Sequence, residues 1–503
     1  MAEIKVKNKD HVHAQVIADP SVAQELNDYF TFEAPGAKFH PLYKSRVWDG
    51  KIRLYSMFTR ELYVGLLPYV DHFAKQNEYA VDYSDYVQTA DAVTLELVEK
   101  FCKSLNLTSR GEPIQIRDYQ IDAVYQAIKD GRRLLLSPTS SGKSLIIYCL
   151  IRWNQRFNRR QLIIVPTTSL VEQMYSDFGD YSAEDDTWSV NQNCHRIYGG
   201  HEKSNQYPVV ISTWQSIYKL PKQFFASFKC VYGDEAHNFK AKSLTSILAK
   251  CLDTPYRVGT TGTLDGTKTH KLVLEGVFGP VYKVTTTKQL MDTGQVAALK
   301  IKCLVLNYAD EIRKVNKKLT YQEEMDFLVQ YAPRNKFIRN LAVACKGNTL
   351  VLFQYVEKHG KVLFDLINNK VEEGRKVFFV SGATETEDRE AIRAITEKET
   401  NAIIVASYGT FSTGINIRQL HNVIFASPTK SRIRNLQSIG RGLRLGKDKT
   451  SCQLFDIGDD MSWKSHKNYT LEHLMERIKT YNEEHFEYKI TNVELTERKP
   501  EVF

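Results

Sequence analysis

A short apolar strand, a loop of small polar residues and a helix follow one another near residue 140, and this order constrains the fold more than any other feature. Leu134–Leu136 leads into the loop Ser137-Pro-Thr-Ser-Ser-Gly-Lys-Ser144, and a helical stretch runs on from Lys143 to Trp153. Such a loop points backbone N–H groups at phosphate oxygens from the end of a parallel strand. The sequence therefore predicts a phosphate-binding loop in an α/β domain.

The individual positions of this loop predict separate contacts. We expect the backbone N–H groups of Ser140, Ser141 and Gly142 to bind phosphate oxygens, since glycine lets the backbone approach closely. Lys143 would neutralise the β- and γ-phosphates, and the Ser144 hydroxyl would ligate Mg²⁺. The first position of the motif, usually glycine, is serine here. A serine-rich turn with a chance Gly-Lys-Ser is the competing interpretation.

An acidic pair lies at the end of another short strand, in Asp234-Glu-Ala-His237. We expect Asp234 to hold the water shell of Mg²⁺, and Glu235 to orient and deprotonate the attacking water. His237 could connect this pair to Thr261-Gly-Thr263. A surface acidic turn after a strand is the alternative interpretation.

Gln120 and Arg117, which precede the loop in the chain, indicate which base the site accepts. The Gln120 amide can pair a donor and an acceptor with the adenine edge, and Arg117 could stack on the ring. This pattern favours ATP as the fuel. A helix cap with an ordinary surface glutamine is the alternative.

A third motif in the second half of the chain contains Gln437, Arg441 and Arg444. The spacing predicts that the two arginines lie on one face of a helix. Arginines that reach a nucleotide site stabilise charge on the transferred phosphoryl group. The alternative is a basic helix that binds nucleic-acid phosphates, and both roles could coexist. The basic residues beside the motif are Lys430, Arg432 and Arg434.

Short apolar strands alternate with amphipathic helices in two successive series, which is typical of parallel sheets covered on both faces. We predict an α/β protein with two tandem parallel-sheet lobes, a small α+β N-terminal domain and a short helical C-terminal extension. The expected limits are 1–95 for an N-terminal accessory DNA-binding domain, 96–298 for the ATP-binding lobe 1, 299–455 for lobe 2 and 456–503 for the extension.

Taken in chain order, these motifs and several shorter ones resemble the ordered motifs of superfamily 2 helicases. They are Arg117–Gln120, Ser137–Ser144, Val165–Thr167, Ser212–Trp214, Asp234–His237, Thr261–Thr263, Val351–Phe353, Ala406–Asn416 and Gln437–Arg444. The form Asp-Glu-Ala-His is closer to the type III restriction and XPB-like branch than to DEAD-box RNA helicases. Trp48–Leu54, Ser407–Gly414 and the overall length resemble a helicase family of tailed phages. The resemblance implies RecA-like lobes, with ATP and Mg²⁺ as cofactors and Gly414 at the nucleotide.

The resemblance also implies where nucleic acid binds. In the two lobes it places hydroxyls and backbone amides on phosphate oxygens; the residues concerned are Thr167, Thr213, Trp214, Tyr408 and Thr413. Trp214 could stack on a base or belong to the core.

A basic and aromatic stretch of the N-terminal domain is a candidate duplex-binding face, with a tight hairpin turn expected at Trp48–Gly50. It carries five basic residues against one acid between residues 38 and 55. The candidate contacts are Lys44, Arg46, Trp48, Lys51 and Arg53. A solvated hairpin with one packed tryptophan is the alternative.

Composition bears on partners and location. The net charge of +9 suits a polyanionic track. Eight cysteines are spread singly, so neither a zinc site nor a disulfide framework is expected. No apolar run has the length of a membrane span, and the N-terminus has no signal-peptide core. We expect a monomeric motor with no membrane partner in the cytoplasm, that of a bacterial host if the phage resemblance holds.

Several functions fit these motifs. The leading prediction is an ATP-dependent DNA helicase or translocase that unwinds or branch-migrates branched DNA. Its expected substrates are forks, Holliday-type junctions and R-loops, including single-strand/double-strand junctions and RNA–DNA hybrids, in recombination, repair and replication restart. An RNA helicase and the motor subunit of a restriction system are alternatives, although no nuclease module stands out after residue 450. A non-catalytic nucleic-acid-binding protein is the alternative of another class, and the intact phosphate loop and acidic pair argue against it.

Overall fold

The computed structural model describes residues 3–495 except 201, 204, 205, 241, 415, 416, 418, 447 and 448. The contacts divide the chain into two compact units. The first contains residues 1–137 and 142–285, and the second contains 138–141 and 286–503.

The N-terminal domain is built on a five-stranded sheet in the order β5-β6-β2-β1-β7. Strands β1 and β7 are parallel and the other neighbours are antiparallel. Its elements are β1 (Glu3–Asn8), β2 (His13–Ile17), α1 (Pro20–Tyr29), β3 (Thr31–Glu33), α2 (Pro41–Lys44), β4 (Lys51–Arg53), β5 (Tyr55–Ser56), β6 (Glu61–Tyr63), α3 (Leu67–Gln76) and β7 (Ala80–Asp85). Apolar residues alternate along β1 and β2, so one face of the sheet is buried under α1 and α3.

The elements of lobe 1 follow in the same compact unit. They are α4 (Leu95–Ser104), β8 (Thr108–Ser109), β9 (Glu112–Pro113), α5 (Asp118–Asp130), β10 (Arg132–Leu136), α6 (Lys143–Gln155), β11 (Gln161–Val165), α7 (Thr168–Tyr181), α8 (Val190–Asn193), β12 (Cys194–Ile197), β13 (Val209–Thr213), α9 (Trp214–Ile217), α10 (Lys222–Ala226), β14 (Cys230–Asp234), α11 (Lys242–Lys250), β15 (Tyr256–Thr261), α12 (Lys268–Phe278) and β16 (Val281–Lys283).

All seven strands of the lobe 1 sheet are parallel, in the order β12-β13-β11-β14-β15-β10-β16. Strand β11 is buried on both faces, as its continuous apolar run predicts. Helix α6, which follows the phosphate loop, buries nearly every side chain from Leu145 to Asn154. This helix is therefore a central element of the core, and its first turn is fixed in place.

The N-terminal domain packs against helix α12 of lobe 1. Leu272 of α12 belongs to the buried core of the N-terminal domain. The Tyr69 hydroxyl donates to the Glu275 carboxylate at 2.6 Å, and Glu275 also accepts the Val281 N–H at 2.9 Å. At Gly65 a Cβ would lie 1.9 Å from the Glu275 carbonyl oxygen, so the two backbones meet directly.

Lobe 2 repeats the architecture in the second unit. Its elements are α13 (Thr287–Asp292), β17 (Ala298–Asn307), α14 (Asp310–Asn316), α15 (Tyr321–Gln330), α16 (Ala332–Ala344), β18 (Thr349–Phe353), α17 (Val362–Asn368), β19 (Val377–Val380), α18 (Thr386–Lys398), β20 (Ile403–Ser407), α19 (Tyr408–Gly414), β21 (Asn422–Phe425), α20 (Arg432–Gly442), β22 (Ser451–Asp460), α21 (Tyr469–Glu483) and β23 (Tyr488–Glu494).

The lobe 2 sheet is also seven-stranded and parallel, in the order β19-β20-β18-β21-β22-β17-β23. Strand β22 crosses the expected boundary between residues 455 and 456, and β23 extends the sheet beside β17. Buried ion pairs hold this region: Arg477 of α21 binds Asp456, and Arg334 of α16 binds Asp459. The C-terminal extension thus adds a strand as well as a helix.

The predicted fold class is confirmed: two parallel-sheet α/β lobes follow a small α+β domain. The alternation of short apolar strands with helices predicts both sheets, and the structure adds strands that carry polar residues, such as β16 and β23. All eight cysteines are buried and free. Among the helices that the structure describes, none is both long enough and apolar enough for a membrane span.

The close approach at Gly65 predicts a stability effect. Gly65→Ala places a methyl group against the backbone of α12, and we expect a loss of about 1–3 kcal/mol because a packed interface must shift. Urea unfolding and limited proteolysis would measure it. Gly199→Ala is the matched control, since nothing lies within 4 Å of its added Cβ. Equal stability of both variants would contradict a tight interface.

Candidate nucleotide and nucleic-acid site

The phosphate loop joins the carboxyl end of β10 to the first turn of α6. The Ser137 N–H donates to the Thr261 carbonyl at 2.8 Å, which ties the start of the loop to β15. The Ser141 hydroxyl donates to the Pro138 carbonyl at 2.6 Å and closes the turn. Ser140 and Gly142 have positive φ values of 70° and 82°. The backbone therefore takes the curled path that a phosphate cradle requires.

Lys143 and Ser144 begin helix α6, as the sequence predicts. The Lys143 ammonium group lies 3.5 Å from the Ser137 carbonyl, so its side chain folds back over the loop. The positive end of the helix dipole adds to its charge. This end of α6 is a strong anion-binding position.

The acidic pair lies two strands away from the loop, at the carboxyl end of β14. In the sheet β15 separates β14 from β10, and Thr260 of β15 is in register with Asp234. The Thr260 hydroxyl donates to Asp234 at 2.7 Å. Burial, and next the Glu235 carboxylate, raise the pKa of Asp234, while Lys143 acts in the opposite direction. The buried carboxylate is thus electrostatically coupled to Lys143.

Glu235 has a left-handed backbone, with φ 49° in a residue that is not glycine. Such conformations cost free energy and persist where the surrounding structure imposes them. Its carboxylate lies 3.3 Å from His237 Nδ1, and the same nitrogen is 3.0 Å from the Thr261 hydroxyl. The Thr261 hydroxyl in turn donates to the Thr263 carbonyl at 3.1 Å. The predicted connection from His237 to Thr261 is present as a direct contact.

Gln120 and Arg117 lie at the start of α5. Gln120 is 3% exposed, and its amide oxygen accepts the Arg117 N–H at 3.0 Å. A Cβ on Gly142 would lie 2.3 Å from Gln120 Nε2, so this amide is beside the phosphate loop. Arg117 donates to the Tyr119 hydroxyl at 2.9 Å. Gln120 therefore caps α5 next to the loop, and its predicted contact with adenine stays a prediction.

The third motif differs from its predicted geometry. Helix α20 carries Gln437 and Arg441 but ends at Gly442, with Leu443 as its C-cap. Arg444 therefore lies beyond the helix, and the prediction that both arginines share one helical face is wrong. The Arg441 guanidinium is 5.7 Å from the centre of the Phe411 ring.

Lys449 binds the C-terminal end of this helix, and sequence analysis missed it. This buried ammonium group donates to the carbonyls of Gly442 and Arg444, the latter at 2.9 Å. Burial lowers the pKa of Lys449 to about 8; the charge of Arg444 adds to the decrease, and Cys452 opposes it. A cation at the C-terminal end of a helix also interacts favourably with the carbonyl dipoles there. The position of Arg444 is therefore set by Lys449.

Helix α21 holds the opposite end of α20. Arg432 binds Glu483 and, at 2.8 Å, Glu484. Arg477 donates to the Thr429 carbonyl at 2.9 Å, just before α20 begins. Arg432 is thus engaged by two carboxylates of the C-terminal helix, while Arg434 is exposed.

The lobe residues that sequence analysis placed on nucleic acid occupy different environments. Thr167 caps α7, and the buried Thr213 lies 2.9 Å from the Ser216 hydroxyl. Trp214 is half-buried against the core of lobe 1, which favours core packing over base stacking. Tyr408 is 2% exposed and donates to the Ser427 carbonyl at 3.2 Å. Thr413 and Gly414 lie in α19, but their surroundings are outside what the structure describes, so their predicted contacts stay predictions.

The basic stretch of the N-terminal domain is exposed. Strand β3 pairs with β4, and residues 34–50 connect them, so the expected tight hairpin turn at residues 48–50 is wrong. Trp48 is half-buried and donates to the Lys51 carbonyl at 2.9 Å. Arg53 forms an ion pair with Asp49. The exposed cations that remain available as candidate contacts are Lys44, Arg46 and Lys51.

Three family models match successive segments of the chain. Residues 3–85 match the family described as "DNA helicase UvsW, N-terminal", and residues 113–266 match "Type III restriction enzyme, res subunit". Residues 333–446 match "Helicase conserved C-terminal domain".

Relatives match over nearly the whole chain. The "ATP-dependent DNA helicase uvsW" of Enterobacteria phage T4 is 36% identical, over 98% of this chain and 100% of the relative. The "DNA 3'-5' translocase XPB2" of Sulfurisphaera tokodaii is 25% identical over 78% of this chain and 93% of the relative. The crystal structure of T4 UvsW superimposes with a TM-score of 0.52 and 35% identity, over 98% of this chain and all of that one. The chain therefore belongs to the UvsW family of superfamily 2 DNA helicases.

Proposed function

We propose that this ATP-dependent helicase is a DNA motor that remodels branched DNA, including forks, four-way junctions and R-loops. The main structural observation behind this proposal is that the phosphate loop, Thr260 and Asp234 lie at the ends of three adjacent parallel strands. Ligands of open α/β sheets bind at this edge. The full-length match to an ATP-dependent DNA helicase of phage T4 supports the same activity.

Lobe 1 provides the groups that bind and hydrolyse ATP. We assign the phosphates to the loop N–H groups and Lys143, and the water-activating base to Glu235. The contact between Glu235 and His237 would hold that base in place, and Thr261 would link it to the start of the loop. Nucleotide binding and the catalytic carboxylate would thereby move together.

Mg²⁺ suits the donor groups of this site. Ser144 and Asp234 offer oxygen ligands, which Mg²⁺ prefers. Two neighbouring carboxylates, one of them buried with a raised pKa, form a site whose repulsion a divalent cation would relieve. When bound, the ion would offset the negative charge of the β- and γ-phosphates.

We assign the stabilisation of charge on the transferred phosphoryl group to Arg441 and Arg444 of the third motif. Gln437 of the same motif belongs to the proposed catalytic set. We propose that a single chain suffices for this cycle.

ATP hydrolysis against single-stranded, duplex, forked and four-way DNA, and against RNA, tests the function. We expect the strongest stimulation by branched DNA, and a loss of at least about 100-fold in Glu235→Gln because the general base is removed. Glu184→Gln, at an exposed glutamate, is the matched control. Stimulation by RNA alone would indicate an RNA helicase, and no stimulated hydrolysis would favour a binding protein.

Arg444→Ala tests the catalytic role of the third motif. With DNA and ATP saturating, we expect kcat to fall at least about 100-fold and KM for ATP to change little, as for arginines that act in the transition state. Arg434→Ala, an exposed arginine on α20, is the control. If these arginines serve only nucleic-acid phosphates, both variants will instead weaken DNA binding equally and retain full turnover.

Lys449 predicts a pH dependence. Its ammonium form is present below about pH 8 and is lost as the pH rises through that value, which weakens its bonds to the carbonyls that fix Arg444. The neighbouring ionisable groups are Arg444, Cys452 and His421.

We expect DNA-stimulated hydrolysis by the wild type to decline above about pH 8. Lys449→Arg should remove this alkaline decline, because arginine stays charged, and Lys449→Met should lower activity at every pH. ATPase measurements from pH 6.5 to 9.5 would check both, and an unchanged decline in Lys449→Arg would exclude Lys449 as its cause.

A further inference from the structure

The N-terminal domain carries an aromatic side chain at the tip of a β-hairpin. Strands β5 and β6 pair in antiparallel fashion, with Ser56 opposite Glu61, and residues 57–60 form the turn between them. Phe58 is 97% exposed at this tip, and Met57 beside it is 39% exposed. The Phe58 ring makes little packing contact with the fold, so it is available to a ligand with a flat apolar face.

The base of the hairpin is firmly held. Tyr55 is buried, and its hydroxyl donates to the Val16 carbonyl at 2.9 Å. Arg60 donates from its guanidinium to the Ala18 carbonyl at 2.9 Å, and the Arg60 carbonyl accepts the Val16 N–H at 2.8 Å. Lys9 forms an ion pair with Glu61. The tip therefore projects from an anchored base, so a contact at Phe58 would not be absorbed by movement of the strands.

The segment that precedes the hairpin carries exposed cations. Strand β4, with the exposed Lys51, precedes β5 with one residue between them. The basic connection before β4 adds exposed Lys44 and Arg46. Cations would bind backbone phosphates, while an aromatic ring stacks on a base of any sequence.

We propose that Phe58 stacks on the base pair at the branch point of DNA and separates it from its neighbour. This inference rests on the proposed function, and it assigns the branch contact to the β5–β6 hairpin. Apolar side chains inserted between base pairs unstack them in other DNA-binding proteins. Flanking cations would hold the backbone while Phe58 occupies the space of the lost stacking partner.

A fork with 2-aminopurine at the branch-point pair tests the proposal with the full chain and without ATP. We expect wild-type protein to raise the fluorescence, Phe58→Trp to retain the increase and Phe58→Ala to lose most of it. Fork unwinding by Phe58→Ala should fall about 10-fold, the order expected for one lost stacking contact. Val315→Ala, an apolar residue of lobe 2 that is 80% exposed, should match the wild type.

The outcomes separate this inference from the proposed function. Hydrolysis stimulated by single-stranded DNA should be unchanged in Phe58→Ala. Equal fluorescence and equal fork unwinding by wild type and Phe58→Ala would overturn the role of Phe58 while leaving the branched-DNA motor intact. Loss of single-strand-stimulated hydrolysis in Phe58→Ala would also overturn it, because the residue would then serve the whole motor. A wild type without activity on forks would instead remove the proposed function itself.

Discussion

The parallel pairing of β14, β15 and β10 is the constraint on which the nucleotide site depends. Parallel strands end at the same edge, so three segments that are far apart in sequence deliver their following residues to one place. Two hydrogen bonds make the arrangement specific: Thr260 binds Asp234, and the Ser137 N–H binds the Thr261 carbonyl. Strands β14 and β15 and most of α6 are buried, so these hydrogen bonds lie in a closely packed part of lobe 1.

Lobe 2 has a parallel sheet of the same size, and buried ion pairs anchor the C-terminal helix to it. Its long strand β22 is anchored by the buried pairs Arg334–Asp459 and Arg477–Asp456. Removing one partner of such a pair leaves a buried charge, which is costly, so these contacts enforce one arrangement of α21 against the sheet. Helix α21 and Lys449 then hold α20 at its two ends. Helix α21 of the extension and Lys449 of lobe 2 therefore together restrain the helix that carries Gln437 and Arg441.

Local patterns in the sequence were enough for the phosphate loop, the acidic pair and the order of most strands, because each is encoded within a few consecutive residues. The i, i+3 spacing predicts Arg444 on the helix because spacing alone does not show that the helix ends at Gly442. Strands β16 and β23 mix polar and apolar residues and are recognisable only through the neighbours they pair with. The sequence also does not predict that Phe58 is exposed, since a phenylalanine next to a strand normally belongs to the hydrophobic core.

Helix α12 provides a mechanical connection between the N-terminal domain and the nucleotide site. The Tyr69 hydroxyl donates to Glu275 of this helix. Gly279 at the end of the helix packs against Arg132, the first residue of β10. Arg132 in turn donates to the His11 carbonyl of the N-terminal domain. Strand β10 ends in the phosphate loop, so both contacts lie on the strand that positions this loop. The N-terminal domain and lobe 1 are therefore connected through packed backbone as well as through the chain itself.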